Sequence, residues 1–129
     1  KKKKKEFRTT DANSKVGDEV NIEAFNVGEI VSVSGISKAK GFQGVVKRHG
    51  FKGAPKSHGH KHDLRAPGSI GSGFPEHVIK GKRMAGRMGG VRATSKNVEV
   101  AYLDKEKKII GLKGPVPGIP GSIVEIFIK

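Results

Sequence analysis

Sixty-two consecutive residues, 35–96, hold 14 of the chain's 26 lysines and arginines, 13 of its 19 glycines and only two acids, Asp63 and Glu76. This stretch supplies +12 of the formal +14 net charge, and it lies between segments that read as ordinary β-strands. A compact domain rarely carries a structureless loop of such length, and one that does is usually functional or disordered. Residues 35–96 have too little apolar matter to offset their ordering entropy. They are therefore expected to order against a large polyanion, for which nucleic acid is the first candidate.

The flanks are different. Outside 35–96 the balance is 12 basic against 10 acidic residues, as in an ordinary, slightly basic protein. A length of 129 residues allows one domain with a modest core. The pI near 10.2 arises from a localised excess, which is the electrostatic signature of phosphate binding. A membrane surface is not expected as a partner, because no segment shows the amphipathic helical period it would want and no apolar run is long enough to span. The absence of cysteine excludes disulfides, thiol catalysis and Cys-type zinc sites, and fits a reducing interior. Lys1–Lys5 have no apolar stretch behind them and so do not read as a signal peptide. They open a basic arm over 1–15, which either touches phosphate or is simply solvated.

Period-2 alternation marks the strands. Val20, Ile22 and Ala24 alternate with Asn21 and Glu23, predicting a half-buried strand over Val16–Phe25. Asn26-Val27-Gly28 turns the chain, and a second strand over Glu29–Ser34 is built around Val31 and Val33. The signal stops at Gly35 and resumes at Asn97, with Val98, Val100 and Tyr102. Asp104–Lys107 reads as a polar hairpin turn and Ile109–Lys113 as the return strand. Gly114–Gly121 is broken throughout by proline and glycine, which excludes helix and central strand. Ile123–Lys129 is a last strand, apolar on both faces except at Glu125. Five short strands and no helix predict a mainly β chain, a small antiparallel barrel of residues 16–34 and 97–129. The long basic, glycine-rich loop 35–96 is then an extension inserted between strands. Five strands make a thin barrel, closed either by RNA or by further chain upstream.

Within the extension, glycines recur every few residues with bases between them, which lets backbone approach phosphate closely. Lys38, Lys40, Lys47, Arg48, His49 and Lys52 are the expected contacts of the first leg. Phe42 and Phe51 either stack on unpaired bases or anchor the loop, and Phe42, close to the strand, reads as an anchor. Lys56, His58, His60, Lys61 and His62 follow. The His-x-His-x-His row places three rings on one side of an extended chain, but its cationic neighbours repel a divalent metal, so RNA contact rather than a metal site is expected. Arg65 and Ser69 belong to the tight, glycine-bracketed turn Arg65–Gly71 near the midpoint. Lys80, Lys82, Arg83, Arg87 and Arg92 line the returning leg, where Met84 and Met88 pack against RNA or against the loop itself. No cofactor, small-molecule substrate or enzyme activity is expected. Gly-x-x-x-x-Gly-Lys-Ser/Thr does not occur, and nothing suggests a pocket around Asp63 or Glu76 in which an acid–base pair would work.

Five ordered motifs, KGFQGVVKRHGFKG, SHGH, RAPGSIG, KGKRMAGRMGG and KGPVPGIPG, closely resemble the L-three family of large-ribosomal-subunit proteins in its bacterial form. The resemblance runs from about Val16 to the C-terminus. It implies a β-barrel on the outside of the large subunit of a cytoplasmic ribosome, or of an organellar one, and a loop running through the rRNA toward the peptidyl transferase centre. It implies 23S-type rRNA and neighbouring large-subunit proteins as partners. The chain departs from the family pattern twice. It lacks an N-terminal portion beginning with a Gly-Lys-Lys-Leu-Gly-Met-Thr-like motif, so a partial chain is expected. The tip Ser72-Gly73-Phe74-Pro75 also lacks the glutamine that is methylated in some relatives. The alternative from another class is a free-standing cationic β-barrel that binds nucleic acid or acts as an RNA chaperone. Such a barrel should present an aromatic-rich sheet face, whereas the strands hold only Phe25, Tyr102 and Phe127.

Overall fold

The computed structural model of the chain describes residues 4–7 and 15–128. The basic-arm reading of Lys1–Lys3 and of 8–14 lies outside them. Among the described residues the fold is mainly β, with two antiparallel sheets and a single short α-helix. Four strands form the main sheet: β1 (Ile30–Ile36), β4 (Arg92–Asp104), β5 (Ile109–Lys113) and β6 (Val124–Ile128), in the order β5-β4-β1-β6. The sheet is open, and no closed barrel forms among the described residues. β2 (Phe42–Gln43) and β3 (Gly86–Arg87) make a two-stranded ribbon of their own. Between them lies α1 (Val45–His49).

The core sits on one face of the main sheet. Val31 and Val33 from β1 and Val98 and Val100 from β4 are at most 3% exposed. Phe25, Ile110, Leu112, Val124 and Ile126 pack around them. Val33 opposes Ile126 across one side of β1, and Val31 opposes Val98 across the other, so the apolar row crosses three strands. The opposite face is polar at Ser34, whose Oγ lies 2.7 Å from Thr94 Oγ1 in a cross-strand bond.

Three sequence expectations need correction here. Val16–Phe25 is not a strand. Val16 and Val20 stand in solvent, and a 3-10 turn over Ile22–Ala24 swings Phe25 onto the core. Alternation makes a strand only where a neighbouring edge can accept its hydrogen bonds. Among the described residues none pairs with this segment. Next, β4 begins at Arg92 and not at Asn97, because it carries an extra residue opposite β1: Val31 pairs with Val98, but Val33 pairs with Ser95. Asn97 there takes a left-handed φ of 57°. Such a bulge reverses which residues face inward. Ser95 and Ala93, not Lys96 and Thr94, therefore continue the inner row, and the period-2 signal vanishes although the strand goes on. Last, the chain does contain a helix, α1.

The segment Gly114–Gly121 crosses the end of β1, as its prolines and glycines require. A side chain at Gly35 would meet the Pro117 carbonyl oxygen at 3.0 Å, so any larger residue would have to push this segment outward by a few tenths of an ångström.

Candidate nucleic-acid interface

The basic insertion does not leave the sheet as two free strands of chain. Beyond Ile36 and Arg92 its two legs stay hydrogen-bonded. Ser37 N–H donates to Val91 O (2.9 Å) and Gly90 N–H to Ser37 O (3.1 Å). Lys40 N–H donates to Met88 O (2.9 Å) and Met88 N–H to Gly41 O (2.9 Å). The β2–β3 pairs Phe42–Arg87 and Gln43–Gly86 complete the stem. At Gly89, with φ of 74°, a Cβ would run into the Lys38 carbonyl oxygen, so the legs approach closer there than any other residue permits. The expectation that 35–96 has no structure of its own therefore needs correction at the stem. Backbone hydrogen bonds and left-handed glycines order it where apolar burial could not.

Helix α1 closes the top of the stem. Gly44 caps its start, and Gly50 in the left-handed region (φ 73°) ends it by donating to Val46 O at 3.0 Å. Val45 is buried beneath it, 3% exposed. From its last turn Arg48 Nη1 donates to Met84 O at 2.6 Å, and His49 Nε2 lies 3.0 Å from the same oxygen. The His49 ring leans on Phe51, with centroids 6.1 Å apart. Arg48 and His49, both expected RNA contacts, are thus half-buried braces between the legs. Phe42, expected to anchor the loop, is 76% exposed. Met84 and Met88 are half-buried within the loop.

The remaining expected contacts lie on the surface. Lys38, Lys40, Lys47, Lys52, Lys56, Lys61, Arg65, Lys80, Lys82, Arg83 and Arg87 are exposed, as are His58, His60, His62 and Ser69. Ser69 Oγ donates to Gly71 O (3.0 Å) and so stiffens its own turn. Among the described residues, only Arg92 of the 14 lysines and arginines in 35–96 forms an ion pair. The other thirteen charges have no carboxylate to neutralise them. His58, His60 and His62 do not converge on one another: among the described residues no group of three or more His, Cys, Asp or Glu side chains is gathered. No helix among the described residues is long and apolar enough to cross a membrane.

Two features of this surface escaped the sequence reading. At the root of the stem, Glu125 takes Arg92 Nη2 at 2.6 Å and Lys5 Nζ at 2.7 Å. The hydrogen bond from Lys5, with the charge of Arg92 behind it, holds the Glu125 carboxyl below its ordinary pKa against the opposing pull of partial burial. Phe7 packs edge-on against Phe127 at 6.3 Å, so residues 5 and 7 meet residues 125 and 127 of β6 with the same spacing. The lone acid in an apolar strand was the available signal. The second feature is a depression of about 660 Å³ lined by Phe51, Lys52, His60 and Asp63, where no pocket was expected around Asp63.

Comparison with known proteins bears on this arrangement. The family model described as Ribosomal protein L3 matches residues 4–119. Among curated proteins, the chain is 48% identical over 123 residues to the large ribosomal subunit protein uL3 of Bacillus mycoides (strain KBAB4) and to that of Bacillus cereus (strain G9842). It is 47% identical over 123 residues to the protein of the same name from Bacillus thuringiensis (strain Al Hakam). Each alignment covers 95% of this chain and 58% of the relative, so the chain spans somewhat more than half the length of the curated proteins it matches.

Proposed function

This chain belongs to the ribosomal protein L3 family, and on that premise we propose that it is a structural constituent of the large ribosomal subunit and not an enzyme. It binds 23S-type rRNA and contacts neighbouring large-subunit proteins in a cytoplasmic ribosome. The domain of 16–34 and 97–129, with the four-stranded sheet at its centre, docks on the rRNA surface. Residues 35–96 are the rRNA-binding extension, which supports assembly and carries its tip toward the peptidyl transferase centre. The catalysis there is the work of RNA, and the protein supplies counter-charge and order.

The observation that carries this reading is the thirteen lysines and arginines of 35–96 that have no carboxylate partner among the described residues, in a segment whose base is a hydrogen-bonded stem. Such a surface is electrostatically costly alone and favourable against phosphate, whose condensed counterions it releases on binding. Lys38, Lys40, Lys47 and Lys52 on one leg and Lys80, Lys82, Arg83 and Arg87 on the other are the principal phosphate contacts. Lys56, Lys61, Arg65, Ser69 and the three histidines of the row serve the outer part.

The deciding experiment is sedimentation of the tagged chain with ribosomes from a bacterial lysate. Co-migration with the large subunit through a salt wash is expected. A chain that stays at the top of the gradient, or spreads over all RNA-containing fractions, would instead be a free-standing nucleic-acid binder.

A further inference from the structure

Asp63 is a poor choice for a segment whose task is to neutralise phosphate. It is exposed and, among the described residues, forms no ion pair and receives no side-chain hydrogen bond; only its backbone carbonyl is engaged, by Ala66 N–H at 3.0 Å. Its position explains it better than its charge. It lines the 660 Å³ depression together with Phe51, Lys52 and His60, a volume within the ~300–1,000 Å³ typical of ligand sites.

The depression is braced. Its two walls, 51–54 and 63–68, are joined by Ala54 N–H donating to Leu64 O at 3.3 Å. Gly53, with φ of 73°, comes so close that a Cβ there would strike the same carbonyl. Phe51 is half-buried, and its ring packs at a tilt against that of His49, which the Met84 carbonyl holds in turn. A supported aromatic ring, a free carboxylate and a lysine are the parts that read one unstacked nucleotide: stacking platform, edge acceptor and phosphate contact.

We infer that this depression, resting on the rRNA-binding reading above, receives one unpaired guanine of the rRNA, with Asp63 accepting hydrogen bonds from its Watson–Crick edge. An ionised carboxylate is acceptor-only, with two oxygens side by side. Guanine alone among the four bases presents two adjacent donors on that edge, N1–H and the N2 amino group. Adenine and cytosine place a ring-nitrogen acceptor beside their amino group, and uracil flanks its one N–H with carbonyls. Each of these sets a lone pair against the carboxylate. Asp63 thus repels phosphate and selects a base.

The test is Asp63→Asn in the full chain, which keeps shape at an exposed position and reverses the electrostatic expectation. Removing a negative charge should tighten any purely phosphate-driven binding. In filter binding, D63N should bind an in vitro transcript of large-subunit rRNA about tenfold more weakly than wild type. Binding to poly(U), which offers this segment little besides phosphate, should stay level or tighten. Probing the complexes with a 1,2-dicarbonyl reagent, which modifies guanine at N1 and N2, should show one unpaired guanine protected by wild type and exposed with D63N. Unchanged or tighter transcript binding by D63N, or the same protection in both complexes, overturns the inference while leaving the rRNA reading intact. Wild type binding the transcript no better than poly(U) would overturn both.

Discussion

The close approach of the two stem legs at Gly89 can be separated from mere backbone conformation by three alanine substitutions. Gly41, Gly89 and Gly90 all have left-handed φ, 68°, 74° and 67°. They differ in what a Cβ would touch. At Gly41 nothing lies within 4 Å; at Gly90 the nearest atom is the Arg87 guanidinium Nη2 at 2.6 Å, the far end of a flexible side chain; at Gly89 it is the Lys38 backbone carbonyl. Gly41→Ala should therefore cost only the left-handed penalty, about 1 kcal/mol. Gly90→Ala should cost little more, since Arg87 can swing away. Gly89→Ala must push the legs apart, and the bonds on either side, Lys40 N–H to Met88 O and Gly90 N–H to Ser37 O, are the ones to give. At about 1 kcal/mol each, its total is about 3 kcal/mol. The 2 kcal/mol difference corresponds to a roughly thirtyfold change in the opening equilibrium. Amide hydrogen exchange at Lys40 and Met88, both donors across the stem, reads that equilibrium directly. Exchange in Gly89→Ala should be about thirtyfold faster than in Gly41→Ala, with Gly90→Ala close to the latter. Equal rates in all three would show that the stem relaxes around the carbonyl at no cost, and the close-approach reasoning would fail.

Other expectations are briefer. Binding of the chain to large-subunit rRNA should weaken steeply with salt, and changing Lys80, Lys82, Arg83 and Arg87 together to glutamine should lower the log–log salt slope by roughly 3–4; an unchanged slope would show that the returning leg meets no phosphate. Deleting Ser69–Phe74 should leave incorporation into subunits intact but alter peptidyl transfer or sensitivity to inhibitors of that centre, whereas the four-charge variant should incorporate poorly; the reverse pattern would sink this division of labour. Val100→Ala, at a fully buried position, should cost about 2–3 kcal/mol, measured by denaturant midpoint. Because Lys5 and Arg92 depress the Glu125 pKa, their stabilisation is present above the carboxyl's ordinary value and is lost as pH falls through the lowered one. The stability gap between wild type and Glu125→Gln at neutral pH should thus close on acidification, and a gap that persists at low pH would mean the carboxylate charge is not its source.

The parts of this fold legible in the sequence are those whose signal is local and uninterrupted. Ile109–Lys113 appears with the bounds read from its alternation, and β1 and β6 within two residues of theirs. Misreadings occur where a pattern depends on a partner. The alternation around Val20 looked like a strand, but pairing is a property of two segments, and only one was visible. The upper half of β4 was hidden because its inward positions are Ala93 and Ser95, too small and polar to register. The extension was legible as a charge and glycine distribution, and the exposed lysines and arginines follow from it. That Arg48 and His49 turn inward to Met84 was not legible, since composition does not say which of several bases a carbonyl will claim. Glu125 was noticed as an exception in its strand, but its partners lie 33 and 120 residues away in sequence.

The extra residue at Asn97 divides β4 into two lengths with separate rules. Below it, Val98 and Val100 lie in the core; above it, Ser95 pairs with Val33 and Ala93 with Gly35. The bulge works as a phase shifter between the two halves of one strand. Across it, neither half dictates the parity of the other. The facing of 92–96 rests on the bulge itself. Flattening it into a regular strand with the same residues would rotate 92–96 by half a turn. Arg92, Thr94 and Lys96 would then point at the core side, Arg92 would leave Glu125, and Ser34 would lose Thr94. Removing one residue between Ser95 and Val98 would instead leave Ala93 and Ser95 facing inward on an unbulged strand, so the left-handed turn at Asn97 is called for only by the extra residue.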